Sequence, residues 1–94
     1  MSNIFELVDK TGRKIHLTKE RWAHIRKDHP QVEQEEIETT LKNPTQILQI
    51  NDKKYYYFHY FKHKNFQKKF LRVIVKYKNS QWLVMTAYFV AYID

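Results

Sequence analysis

The chain has no cysteine, so it carries no disulfide framework and no thiolate zinc site. It has a single glycine, Gly12, which excludes the Gly-rich loops that cradle nucleotide phosphates. No apolar run approaches the roughly 18 residues of a membrane-crossing helix. The N-terminal residues lack a basic start followed by an apolar stretch, so no secretory signal is read there. The cytoplasm is the expected location, and no membrane partner is expected. The most informative absence is that of acid. Residues 53–92 hold nine Lys/Arg and no Asp or Glu, whereas residues 1–52 hold eight basic against nine acidic side chains. The net charge of +7 therefore belongs to the second half of the chain.

What is present is a 94-residue chain with 43% hydrophobic and 16% aromatic content, which predicts one folded domain over residues 1–94. Its basic half is rich in Tyr and Phe, and cations without carboxylates on an aromatic surface attract polyanions. A nucleic acid is the partner such segregation favours over a merely solvated surface.

Residues 4–8 read as a strand, the segment from Asp9 to Gly12 as a turn, and residues 14–17 as the returning arm. Thr18 is an N-cap for a helix over 19–28, which His29-Pro30 breaks. A second helix is expected over 31–42, with its acids near the start and Asn43-Pro44 as the stop. Strands follow at 45–50, 54–62, 69–77 and from Gln81 or Trp82 to 91, with a polar loop at 63–67. The expected fold is α+β: an N-terminal hairpin and two helices packed on a four-stranded antiparallel sheet.

Strand alternation then sorts the faces. Leu71, Val73, Val75 and Tyr77 should meet the helices, as should Leu83, Met85, Ala87 and Phe89. Arg72 and Lys76 would share the open face with Thr86 and Tyr88. Two cations, a hydroxyl and a phenol suit phosphate chemistry without metal, although Thr and Tyr are favoured in strands anyway. Lys54, Lys62 and, on the first helix, Arg21 join Arg72 as candidate RNA contacts. On the first helix Arg21, His24 and Asp28 share one face, and Asp28 could orient the His24 imidazole. Trp22, Ile25 and His29 form an inward stripe. Either His24 or His29 could serve as the acid/base. The two are five residues apart, unlike the four of a helical zinc pair, and His59 and His63 are separated by a strand end. No metal and no cofactor are expected.

These segments together resemble a family pattern. The run from Thr18 to Ile25 (Thr-Lys-Glu-Arg-Trp-Ala-His-Ile), followed by Asp28-His29-Pro30, looks like the first-helix signature of the phage- and prophage-associated nucleases of the Barnase–EndoU–colicin–RelE-like superfamily. Leu41-Lys42-Asn43-Pro44-Thr45 is similar to its second-helix end. Arg72-Val73-Ile74-Val75-Lys76 and Met85-Thr86-Ala87-Tyr88 are similar to its last two strands. The resemblance implies metal-independent RNA cleavage, often by a toxin or in phage–host conflict, with RNA (tRNA among the candidates) as substrate. It also implies an acidic antitoxin or immunity protein as partner. By position, His24 would be the acid/base, with His29 a second candidate, and Lys76, Thr86 and Tyr88 would line the phosphate. The family's usual His-Pro-Glu is His29-Pro30-Gln31 here, which removes a carboxylate from that position. Two other readings stay open: a non-catalytic single-strand-binding module, and a domain whose basic face meets an acidic protein.

Overall fold

One carboxylate builds the first turn. Asp9 accepts hydrogen bonds from the backbone N–H of Thr11 (2.9 Å) and Arg13 (2.8 Å) and from the Thr11 hydroxyl (2.8 Å). Gly12 takes φ +94°, a value open to glycine. The turn joins β1 (Asn3–Val8) to β2 (Lys14–Thr18) as an antiparallel hairpin. The computed structural model describes residues 3–62 and 67–93. Of the loop expected at 63–67, all but Gln67, and His63 with it, lies outside the described residues.

α1 (Lys19–Asp28) begins and ends where local chemistry dictates. The Thr18 hydroxyl accepts from Arg21 N–H at 3.1 Å. His29 closes the last turn by donating its N–H to the Ile25 carbonyl at 2.7 Å, and Pro30 forbids continuation. α2 spans Gln34–Lys42 and so starts three residues later than the sequence suggests. Pro30 and Gln31 are used by a turn in which Val32 N–H donates to the His29 carbonyl at 3.1 Å. Glu33 then becomes the N-cap, its N–H donating to the Glu36 carboxylate at 3.0 Å. Val32 and Ile37, both fully buried, flank this cap as a hydrophobic staple.

Four strands follow: β3 (Gln46–Asn51), β4 (Lys54–Tyr60), β5 (Phe70–Lys78) and β6 (Gln81–Val90). Asn79 and Ser80, at φ +54° and +63°, form the two-residue turn between β5 and β6, a geometry matched to the twist of a hairpin. The expected four-stranded antiparallel sheet is corrected to a six-stranded mixed sheet of order β1-β2-β6-β5-β4-β3. The hairpin joins it through β2, which runs parallel to β6 with Ile15 opposite Trp82 and His16 opposite Leu83. Burial explains the union: Ile15 and Leu17 are fully buried with the sheet's core residues, so detaching the hairpin would expose both.

The helices cover one sheet face, α2 over β4 and β5 and α1 against β6 and β2. Ile25, Ile37 and Leu41 meet Leu71, Val73 and Val75 there, as expected of that β5 face, but Tyr77, expected with them, is exposed near the strand end with its ring 5.1 Å from that of Trp82. The expected core face of β6 is corrected. Pairing passes from Ile74–Thr86 to Val75–Val84, leaving Met85 as a bulge. An extra residue resets the alternation, so Trp82 and Val84 turn inward in place of Leu83 and Met85, while Ala87 and Phe89 stay inside as expected. On the same side the Tyr57 hydroxyl, fully buried, donates to the Asp9 carboxylate. Burial first, and then the adjacent carboxylate, raises the Tyr57 phenol well above the ordinary tyrosine value.

Candidate active site

The register of β4, β5 and β6 arranges the open face in rows. Phe58, Arg72 and Tyr88 form one row, Tyr56, Ile74 and Thr86 the next, and Lys54, Lys76 and Leu83 the third. None of these residues is acidic. Arg72, Lys76, Thr86 and Tyr88 therefore share one face, as strand alternation suggests.

Arg72 is held by flat neighbours. Its guanidinium carbon lies 5.2 Å from the Tyr56 ring centre, 5.3 Å from that of Phe58 and 5.5 Å from that of Tyr88. A planar cation stacks on aromatic faces in a way that a lysine ammonium does not reproduce. Its Nη1 donates to the Tyr88 hydroxyl at 3.0 Å. Arginine has donors only, so Tyr88 is the acceptor in this bond. The phenol keeps its own hydrogen for another acceptor. On its other side, the Tyr88 ring lies 5.2 Å from the His29 imidazole at a tilt of 41°. His29, Tyr88 and Arg72 thus form a continuous contact chain from the end of α1 to the middle of the sheet.

The remaining candidates fall into two groups. Lys54 stands 5.7 Å over the Tyr56 ring, and Lys76 is exposed one row from Thr86. Both extend the cationic face. Lys62 lies beyond the end of β4, outside these rows, with its carbonyl accepting from the Lys69 ammonium at 3.2 Å. Arg21 holds the bulge instead of facing solvent. Its Nε and Nη2 donate to the Met85 carbonyl at 3.0 and 2.7 Å. His24 and Asp28 are exposed, and among the described residues neither takes a side-chain hydrogen bond from the other. Asp28 therefore does not orient His24. Trp22, Ile25 and His29 face inward as the helix periodicity suggests.

Several contributors were not singled out from the sequence. Tyr56 and Phe58 cradle Arg72, a role visible only once the β4–β5 register is known. His16 is buried, with Nδ1 3.1 Å from the Asn3 amide and 3.2 Å from the Glu6 carboxylate. A cleft of about 140 Å³ opens beside the bulge, lined by Thr18, Glu20, Arg21, Lys78, Asn79, Leu83 and Met85. Among the described residues no three His, Asp or Glu side chains converge as a metal site, and no helix is long and apolar enough to cross a membrane.

Comparison of the chain with protein-family models, curated proteins and solved structures returned no match.

Proposed function

We propose that the chain is a small metal-independent endoribonuclease, toxin-like or phage-associated, acting in the cytoplasm, with its centre at His29, Tyr88 and Arg72. The observation that carries this reading is the contact chain from His29 through Tyr88 to Arg72, beside strand rows that hold no acidic residue. In it, His29 takes the proton from a ribose 2′-hydroxyl, and that oxygen attacks the adjacent phosphorus in line. Tyr88 gives its phenol hydrogen to the departing 5′-oxygen, and the bond from Arg72 stabilises the phenolate left behind. The products are a 2′,3′-cyclic phosphate and a 5′-hydroxyl. Lys76 and Arg72 offset the charge growing on phosphorus, and Thr86 holds a phosphoryl oxygen. His29 is preferred over His24 because it alone of the two contacts this cluster. An acidic antitoxin would bind the same cationic face.

The test is incubation of tRNA and mixed cellular RNA with the protein in EDTA, beside His24→Ala and His29→Ala. Cyclic-phosphate ends should appear with the wild type and persist with His24→Ala. They should fall by about 10²–10⁴ with His29→Ala, the usual worth of a general acid or base. Equal cutting of DNA, which lacks the 2′-hydroxyl, would sink the mechanism. RNA bound but uncut would favour a binding module. Tyr60 supports that second reading, being 46% exposed beside Phe70 at 5.2 Å and open to base stacking.

A further inference from the structure

The cleft beside the bulge lies on the same strand as the proposed centre. Met85 lines it, and Tyr88 is three residues further along β6, a distance of about 10 Å at strand rise. A strand of RNA seated at Arg72 and Lys76 would deliver a neighbouring base there. The cleft's walls differ from the rest of the face. Leu83 and Met85 give an apolar floor, and Glu20 brings a carboxylate to a surface otherwise cationic. Lys78 and Asn79 stand at the β5–β6 turn, where the Asn79 backbone is held at φ +54°. The Thr18 hydroxyl is already used in capping α1, and the Arg21 fork in holding the Met85 carbonyl. Thr18 keeps a hydroxyl hydrogen to donate and arginine has donors only, so Glu20 is the charged acceptor of this lining, with Lys78 and Asn79 as further polar partners.

We infer that this cleft is a subsite for one nucleobase bearing an exocyclic amino group. Such a base lays its ring on Leu83 and Met85 and donates its amino hydrogens to Glu20. It turns a ring nitrogen or carbonyl towards Lys78 or Asn79. Uracil has no amino group, and its single ring N–H lies between two carbonyls that a carboxylate repels. The ligand class rests on the ribonuclease reading, but the cleft can be probed without any cleavage.

The probes are the 5′-monophosphates of adenosine, cytidine, guanosine and uridine, titrated into the full-length protein. The readout is the Met85 methyl resonance, assigned with Met85→Leu. At least one amino-bearing nucleotide should move the signal at a concentration at least about fivefold below uridine monophosphate, the low end of what a good base contact discriminates. Glu20→Gln offers both a donor and an acceptor, so it should erase that preference while the methyl still responds. No movement with any nucleotide, equal response to uridine monophosphate, or an unchanged preference in Glu20→Gln would each overturn the subsite. RNA cleavage without a Met85 response would remove the subsite and leave the nuclease. A selective response without cleavage would do the reverse.

Discussion

Replacing Tyr57 by phenylalanine tests the link between hairpin and sheet. The Asp9 side chain is 0% exposed, with the Arg13 guanidinium 3.9 Å away, and it accepts from the Thr11 and Arg13 amides, the Thr11 hydroxyl and the Tyr57 phenol. The phenyl ring of the Tyr57→Phe variant would fill the same space and withdraw one donor from a buried carboxylate. A hydrogen bond to a charged group is worth about 1.5–3 kcal/mol. Since Asp9 keeps its other donors, a loss of about 2 kcal/mol is expected. For a domain of this size each kcal/mol shifts Tm by about 4–8 °C, so a thermal melt should move down by roughly 8–16 °C. The pH dependence gives a second readout. The ordinary tyrosine value is 10.0, and that of folded Tyr57 is raised above it. Below pH 10 both states hold the proton and the stabilisation is complete. As pH rises past 10 the unfolded chain releases the proton while the folded one keeps it, so stability falls. The gap between wild type and Tyr57→Phe should therefore narrow above pH 10. A Tm change under about 3 °C, well below the expected range, or a gap constant across that pH range, would refute the reasoning.

Other expectations follow from single contacts. Arg21→Ala removes both donors from the Met85 carbonyl and should lower stability by about 1–3 kcal/mol in urea unfolding, with Arg21→Lys recovering part. Val32→Ala deletes two carbons from a fully buried staple and should cost about 2 kcal/mol by the same assay. Arg72→Lys keeps the charge but loses the stacked fork, so it should cut RNA cleavage by about 10² or more with the fold intact by circular dichroism. Removing Lys54 and Lys76 together should make the salt slope of single-stranded RNA binding shallower by about 1.4, at about 0.7 per phosphate contact.

The parts of the fold legible in the sequence are those set by neighbours in the chain. Thr18 and His29-Pro30 bracket α1 with local hydrogen bonds, and α1 runs Lys19–Asp28 as expected. The Asn79-Ser80 turn joins β5 and β6 directly and so sets the pairs nearest it, from Lys78–Gln81 to Val75–Val84, while Arg72 meets Tyr88 only beyond the bulge. The parallel pairing of β2 with β6 was not legible, because it joins residues near opposite ends of the chain and no turn announces it. Nor was the bulge. Trp82, Leu83, Val84 and Met85 are all apolar, so a shift of one residue leaves a hydrophobic set on either face. For the same reason His29 and His24 could not be separated: helix periodicity turns His29 inward but does not say that Tyr88 waits there.

The bulge and the candidate site have one structural origin. Among the described residues β2 pairs with β6 at Trp82 and Leu83, and beyond that point Arg21 of α1 takes up the Met85 carbonyl. α1 is thereby fixed alongside β6 at a definite height. Eight residues further along the helix, about 12 Å at helical rise, comes His29. Three residues further along the strand, about 10 Å, comes Tyr88. The two rises nearly match, so anchoring Arg21 on Met85 brings the His29 ring onto Tyr88. Tyr88 meets Arg72 because they are cross-strand partners, and Arg72 is upright because Tyr56 and Phe58 flank it. A histidine on a helix and an arginine in a sheet are each ordinary. Their connection through one phenol depends on an extra residue in β6 whose carbonyl Arg21 of α1 takes up.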